Sequence, residues 1–431
     1  MRKLILVVVA LGWLPLACLG GDKDAQVKLP EGDLKTFRSA TEKIVDLLSK
    51  DKTTDFLAEQ LKLKKLVDDF QKKNKWSPLA DTESWSNLIY EAMAPDKLPK
   101  EWRAVSDFMQ KPIAMSDKAF KDKEYLLSIP KDYKPDKKFP VLELLHPKLT
   151  GAGQLADRVR DWATKAYPKE IRDQFIVVVP IDKPDKAGDR DPEWASLQGK
   201  EQVMGTLNEG VLFNLSYDPR RLYLDGDGDS VRFATFHPSI FAGIICRGAP
   251  PDGLWGENLG NTAVLIVGSA EDAKKAEQAD ISPLLGAKNV ADNAGVLAWL
   301  KESPAKNVNP MKIKHRTADS SRGANFWLDA DVDAVDAKTP LGEYPSYEAE
   351  ANRETNEIII KCSSRVRTLR VYLNDQLADL DKPVKIIVNG TARYEGKVAR
   401  DLRTMFECCY KTNSNANIGA VYVDIQTISV K

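Results

Sequence analysis

Apolar residues recur at helical spacing in three early stretches. Leu34, Phe37, Ile44, Leu47 and Leu48 follow Asp33, which is placed to cap a first helix. Phe56, Leu63, Leu66, Val67 and Phe70 mark a second helix over Asp55–Lys73, and Trp85, Leu88 and Ile89 a third over Asp81–Met93. From about Met115 the texture changes to short continuous apolar runs. Strands are predicted at Glu124–Ile129, Phe139–His146, Phe175–Pro180, Arg221–Leu224, Phe241–Cys246 and Ala263–Gly268. Helical segments fall between them, near Leu155–Tyr167, over Val203–Asn214, toward Phe236, and at Gly295–Lys301. Strands apolar on both faces and alternating with helices imply a parallel sheet covered on both sides. After residue 350 the period becomes two, at Glu357–Cys362, Thr368–Leu373, Val384–Val388 and Val421–Ile425. Asn389-Gly390 is a hairpin turn signal, because both positions tolerate positive φ. Leu402, Met405, Phe406 and Cys409 mark one short helix.

The pattern divides the chain into a leader at 1–21, a helical region at 22–113, an α/β domain at 114–330, a linker at 331–350 rich in Asp, Pro and Gly, and a mostly-β domain at 351–431. The fold class expected is α/β, a doubly wound and mostly parallel sheet with a helical N-terminal region and a small mostly-β C-terminal domain.

Charge narrows the function. The chain carries 63 basic and 63 acidic side chains, with no basic stripe interleaved with aromatics, which argues against nucleic acid as a partner. Arg2 and Lys3 precede the apolar run Leu4–Leu16, too short to span a bilayer and typical of an export signal. Ala17-Cys18 allows two readings: cleavage and release, or lipidation at Cys18. The expected location is outside the cytoplasm, in periplasm, envelope or medium, with membrane contact only through such an anchor. Cys246, Cys362, Cys408 and Cys409 lack metal-type spacing. They read as buried or free thiols, with a Cys362–Cys408 bridge as the alternative.

The chemistry centres on Arg220–Ser230. A buried strand runs into a sharp turn, and such a turn needs small residues two before and two after its central position. Gly226 and Ser230 meet that requirement, which puts Gly228 at the centre.

The surrounding motifs resemble the α/β-hydrolase superfamily, in particular secreted esterase, dienelactone-hydrolase and prolyl-oligopeptidase-like domains. Tyr125–Pro130, Tyr133 and Phe139-Pro140-Val141 resemble their opening strands; Asp218-Pro219-Arg220-Arg221-Leu222-Tyr223 resembles the lead-in to the nucleophile turn, and Pro238–Gly243 the segment after it. The likeness spans about residues 115–328. The flanks, especially Asn374–Gly390, are similar to those of uncharacterised exported bacterial proteins built on this core.

The resemblance implies a serine–histidine–acid triad and an oxyanion hole, and the residues depart from both. The nucleophile position is Gly228. Ser230 is the nearest hydroxyl, and Asp227 and Asp229 are the carboxylate alternatives. The family's His-Gly pair is His146-Pro147 here, and proline has no N–H to donate to an oxyanion. Gly151 and Gly153 are the substitute donors. The acid matches Asp272 or Glu271, but residues 273–294 contain no histidine. His237 reads as structural, and His315 is the only remaining base. Asp225, Asp227 and Asp229 also resemble the start of a calcium loop, yet Phe236 stands where the bidentate Glu belongs and Ser230 replaces the required Gly. That excludes an EF-hand and leaves a looser cation site, or a polar turn at a helix N-terminus.

The sequence therefore favours an exported, non-catalytic α/β-hydrolase-fold protein that binds a ligand or an envelope partner and needs no other cofactor. The alternatives are an esterase or peptidase using Ser230, His315 and Asp272, and a structural role carried by the terminal domains.

Overall fold

The computed structural model describes residues 28–49, 53–94, 97–116, 123–182, 192, 194, 196–253, 255–281, 287–302, 304–336, 338–412 and 419–427. The leader and Cys18 lie outside the described residues. The chain forms two compact units, Met1–Met93 with Asn309–Lys431, and Ala94–Val308. These units cut across the boundaries drawn from the sequence pattern, because the N-terminal helices and the C-terminal strands share one core.

The first unit begins with α1 (Glu31–Ser49), α2 (Thr53–Asn74) and α3 (Thr82–Met93). Helix α1 starts two residues before Asp33, which sits in its first turn rather than at its cap. Asp81 does cap α3: its Oδ1 accepts from the Ser84 N–H at 3.1 Å, and its Oδ2 from the Leu29 N–H at 2.8 Å. The apolar stripes meet at Phe37, whose ring lies 4.9 Å from Trp85 and 5.9 Å from Phe70.

The second unit is built on one eight-stranded sheet. Its strands are β1 (Ile113–Ala114), β2 (Glu124–Ser128), β3 (Phe139–Leu144), β4 (Ile176–Ile181), β5 (Tyr217–Gly226), β6 (Gly243–Arg247), β7 (Ala263–Val267) and β8 (Ala287–Val290). The order is β1-β2-β4-β3-β5-β6-β7-β8, with β3 to β8 parallel and β2 antiparallel to β4. Between the strands run α4 (Leu155–Ala166), the single turn α5 (Lys169–Arg172), α6 (Leu197–Leu207), α7 (Gly228–Phe236) and α8 (Ala270–Gln278), and α9 (Asn293–Glu302) follows β8. Every residue of β3 and β4 is buried, which is why these strands read as continuous rather than alternating apolar runs, interrupted in β3 only by Glu143. Helix α6 starts at Leu197, capped by Ser196, and passes into a π-helical turn at Asn208–Leu212. A Cβ on Gly210 of that turn would stand 3.1 Å from the Tyr125 ring and 3.2 Å from Val178, so the turn lies hard against β2 and β4.

The chain then returns to the first unit. Strands β9 (Lys312–Arg316), β11 (Ser346–Asn352), β12 (Glu357–Cys362), β14 (Val384–Val388) and β15 (Thr391–Gly396) form a sheet ordered β15-β14-β12-β11-β9. Strands β10 (Leu328–Val332), β13 (Val366–Leu373) and β16 (Val421–Gln426) form a second, ordered β10-β13-β16, and α10 (Leu402–Thr412) precedes β16. Their inner residues, among them Ile358, Ile360, Val371, Ile386 and Met405, belong to the same buried cluster as Phe37, Leu63 and Trp85. The β14–β15 hairpin turns at Asn389 and Gly390, with φ of 49° and 79°. The segment read as a linker contains β11. There Tyr347, Ala349 and Ala351 face inward between exposed Glu348 and Glu350, and the small alanines give the alternation little apolar contrast. None of Cys246, Cys362, Cys408 and Cys409 is in a disulfide, so the Cys362–Cys408 bridge is not formed.

Candidate functional site

In an open α/β sheet, ligands bind beyond the carboxyl ends of the strands, where the strand order switches direction. Here that crest lies above β3 and β5, and the Arg220–Ser230 stretch leads to it. Strand β5 ends at Gly226 and α7 begins at Gly228. Asp227 between them is an ordinary N-cap, its Oδ1 accepting from the Asp229 N–H at 2.9 Å. The small flanks pack as their spacing requires: a Cβ on Gly226 would lie 3.0 Å from the Leu145 Cβ and 3.1 Å from the Ser230 Cβ.

The central position differs from a nucleophile turn in two respects. Gly228 has no left-handed φ, so the strained conformation that raises a nucleophile above the sheet is not adopted. The space a side chain would enter is also filled. A Cβ on Gly228 would stand 2.8 Å from the Pro251 Cδ and 3.1 Å from the Ala249 carbonyl oxygen. Those atoms belong to the loop after β6 and include backbone, so they do not yield as a flexible side-chain tip would.

The substitute catalytic residues are committed elsewhere. Ser230 is fully buried, and its hydroxyl lies 2.7 Å from the Asp227 carbonyl and 3.3 Å from that of Ile245. It is a buried hydroxyl bonded to backbone carbonyls of its own turn and of β6. Asp272 forms the capping box of α8, its Oδ2 accepting from the Ser269 N–H and hydroxyl, each at 2.8 Å. The Ser269 hydroxyl holds this exposed carboxylate below its usual range. His315 lies on β9, in the other unit. Its Nε2 donates to the Arg322 carbonyl at 2.7 Å, and its Nδ1 is buried with no partner. Burial pushes the ring down to about 4, so it stays neutral inside its own sheet. Each of the three side chains is thus held by partners within its own unit.

His146 is held as well. Its Nε2 accepts from the Asp182 N–H at 3.2 Å, which leaves Nδ1–H to donate to the Pro147 carbonyl at 2.9 Å. Its ring meets Trp194 edge-on at 5.1 Å, and burial lowers its basicity. The carbonyls of Gly151 and Gly153 both accept from Arg158 Nη1, at 2.7 and 2.9 Å. His237 follows α7 with its ring against Phe233. Cys246, at the end of β6, is buried, and burial pushes its thiol up to about 12, far from a reactive thiolate.

Nor do the three acidic residues of the turn form the looser cation site. Asp225 faces into the unit and Asp227 caps α7, with Asp229 in that helix's first turn. Among the described residues, no group of three His, Cys, Asp or Glu side chains is placed to hold a metal ion.

What sequence reasoning missed is the partner of Asp225. Its carboxylate accepts from Arg247 Nε at 2.9 Å and Nη2 at 2.7 Å, and from the Tyr167 hydroxyl. Arg247 Nη2 also reaches the Asn293 Oδ1 at 3.1 Å, and Asn293 Nδ2 donates to the Ala166 carbonyl at 2.7 Å. Burial pushes the Asp225 carboxyl up, and the Arg247 guanidinium and Tyr167 hydroxyl oppose it. The cluster joins the carboxyl ends of β5 and β6 to the end of α4 and the start of α9. Its one sequence signal is that Arg247 directly follows an apolar strand. In chemical terms the crest offers hydrogen-bond donors fixed by this cluster.

No protein-family model matches the chain, and no curated protein matches its sequence. Solved structures similar to it include a thermostable esterase, at 17% identity over 47% of this chain and 64% of that one, with a TM-score of 0.35. An α/β serine hydrolase without a lid from Xanthomonas campestris shares 13% identity over 47% of this chain and 95% of that one, with a TM-score of 0.31. A putative dipeptidyl aminopeptidase IV from Bacteroides ovatus shares 16% identity over 46% of this chain and 35% of that one, also at 0.31. The chain thus spans less than two thirds of the thermostable esterase, and the fold assignment rests on the strand order and connectivity described above.

Proposed function

We propose that this chain, whose second unit has the α/β-hydrolase sheet, is an exported, non-catalytic protein that binds a ligand at the carboxyl ends of that sheet. The contact between Gly228 and Pro251 carries the reading: the nucleophile's place is taken by a glycine and then filled by the loop after β6. Ser230, Asp272 and His315 each serve local structure, which supports the same reading. Export rests on Arg2, Lys3 and the apolar run Leu4–Leu16.

The test is to treat the purified protein with a fluorophosphonate probe and to assay short-chain nitrophenyl esters beside it. The expected result is no labelling and no turnover above buffer. Labelling that maps to Ser230, with turnover lost in Ser230→Ala, would overturn the proposal.

A further inference from the structure

Arg247 is the last residue of β6, and its side chain is about one-third exposed, at 30%. Three neighbours fix it. Asp225 holds Nε and Nη2 as a two-pronged pair, Tyr167 lies 3.3 Å from Nη2, and Asn293 accepts from the same nitrogen. Nη1 has no hydrogen-bond partner among the described residues, and it is not among the buried atoms left unsatisfied. An arginine that served only to neutralise Asp225 would need no exposed edge. This one presents a nitrogen with two N–H donors at the carboxyl end of the sheet, on a side chain that has already lost its rotamer freedom.

We infer that Arg247 Nη1 is the polar anchor for a small carboxylate-bearing ligand above β5 and β6, with Asp225, Tyr167 and Asn293 as positioning residues. This deepens the ligand-binding reading given above and rests on it. A carboxylate suits the donor because charge-assisted N–H···O bonds to guanidinium are short and directional. Asp225 already balances the charge of Arg247, so the attraction comes from aimed N–H groups rather than net charge. Affinity for a minimal ligand is therefore weak, and the neutral isostere is the informative control.

The experiment titrates acetate, benzoate and acetamide into protein carrying isotope-labelled arginine and follows the guanidinium resonances. A saturable millimolar shift of the Arg247 signal is expected with acetate and benzoate and not with acetamide. Calorimetric binding of benzoate should fall at least tenfold in Arg247→Lys, which keeps the charge and loses the fork. If Arg247→Lys does not fold, the neutral pair Asp225→Asn with Arg247→Gln replaces it, and loss of benzoate binding is again expected. A shift that does not saturate, that acetamide reproduces, or binding that either folded variant retains overturns the assignment. The fluorophosphonate result decides the non-catalytic reading separately, so the two can fail independently.

Discussion

Gly228 and Pro251 are in contact so close that no side chain fits between them: a Cβ added to the glycine would lie 2.8 Å from the proline Cδ. Gly248 and Gly253 bracket this proline loop, with φ of 90° and 70°, and the Gly248 N–H is tied to the Val267 carbonyl at 2.9 Å. This close contact joins the turn after β5 to the loop after β6.

Gly228→Ser should therefore restore no esterase activity. The added Cβ must displace Pro251 or the Ala249 carbonyl, and overpacking of this kind costs about 1–3 kcal/mol. Urea unfolding of the variant should show that loss, and Gly228→Ser with Pro251→Gly should recover part of it as a coupled pair. Hydrolysis by the single variant would mean that the loop yields freely.

Lys306 gives a pH-dependent prediction. Its Nζ is buried and donates to the Ser239 and Ile240 carbonyls, at 2.6 and 3.1 Å. Burial lowers the ammonium to about 7, Arg220 pushes the same way, and Asp218 opposes. Between there and the ordinary lysine value the unfolded chain binds more protons than the folded one, so stability rises with pH. The cost of the buried charge is complete below about pH 7 and gone near pH 10.5. Relative to Lys306→Met, the wild type should gain on the order of 3–5 kcal/mol across that window. A flat difference in unfolding free energy from pH 7 to 10 would show that the ammonium is solvated.

Much of the fold was legible in the sequence. Both-faces-apolar runs marked β3 and β4, and alternation marked β12, β13 and β14, because burial on two faces or one writes itself directly into period. The pairing of the N-terminal helices with the C-terminal strands was not legible, since periodicity says which face is apolar and not what covers it. At the site, the spacing of Gly226 and Ser230 located the turn between β5 and α7. The Pro251 contact and the Asp225–Arg247 pair were hidden, because each joins residues more than twenty positions apart with no local signature. His315 misled for the same reason: its buried place in β9 depends on pairing with β11.

Glu143 lies near the carboxyl end of β3, fully buried, and neither carboxylate oxygen has a partner. Burial alone raises its carboxyl well above the usual range, so it is protonated in the folded state at acidic pH. Its contribution is greatest below the unfolded carboxylate value and is lost as pH rises toward the folded one. Glu143→Met, of similar volume and without the polar atoms, should stabilise the protein by about 1–3 kcal/mol at neutral pH, and by less at pH 4. Thermal unfolding across that range checks both the sign and the trend. A destabilised Glu143→Met would mean that the carboxyl has a partner such as an internal water.

The shared core of the first unit predicts that damage to an N-terminal helix is felt in the C-terminal sheets. Trp85 on α3 is fully buried, packs on Phe37 at 4.9 Å, and its Nε1 donates to the Pro78 carbonyl at 3.0 Å. Trp85→Ala removes the largest side chain of the helical layer and should cost about 3–5 kcal/mol. If the helices were a separate domain, amide exchange would speed up in α1 to α3 alone. Because Trp85 shares a buried cluster with Ile358, Ile360 and Ile386, exchange in β12 and β14 should accelerate with it. The strands of the second unit have their own buried cluster, around Leu142, Val177 and Ile245, and should keep their protection. Unchanged exchange in β12 and β14 would show that helices and strands unfold independently.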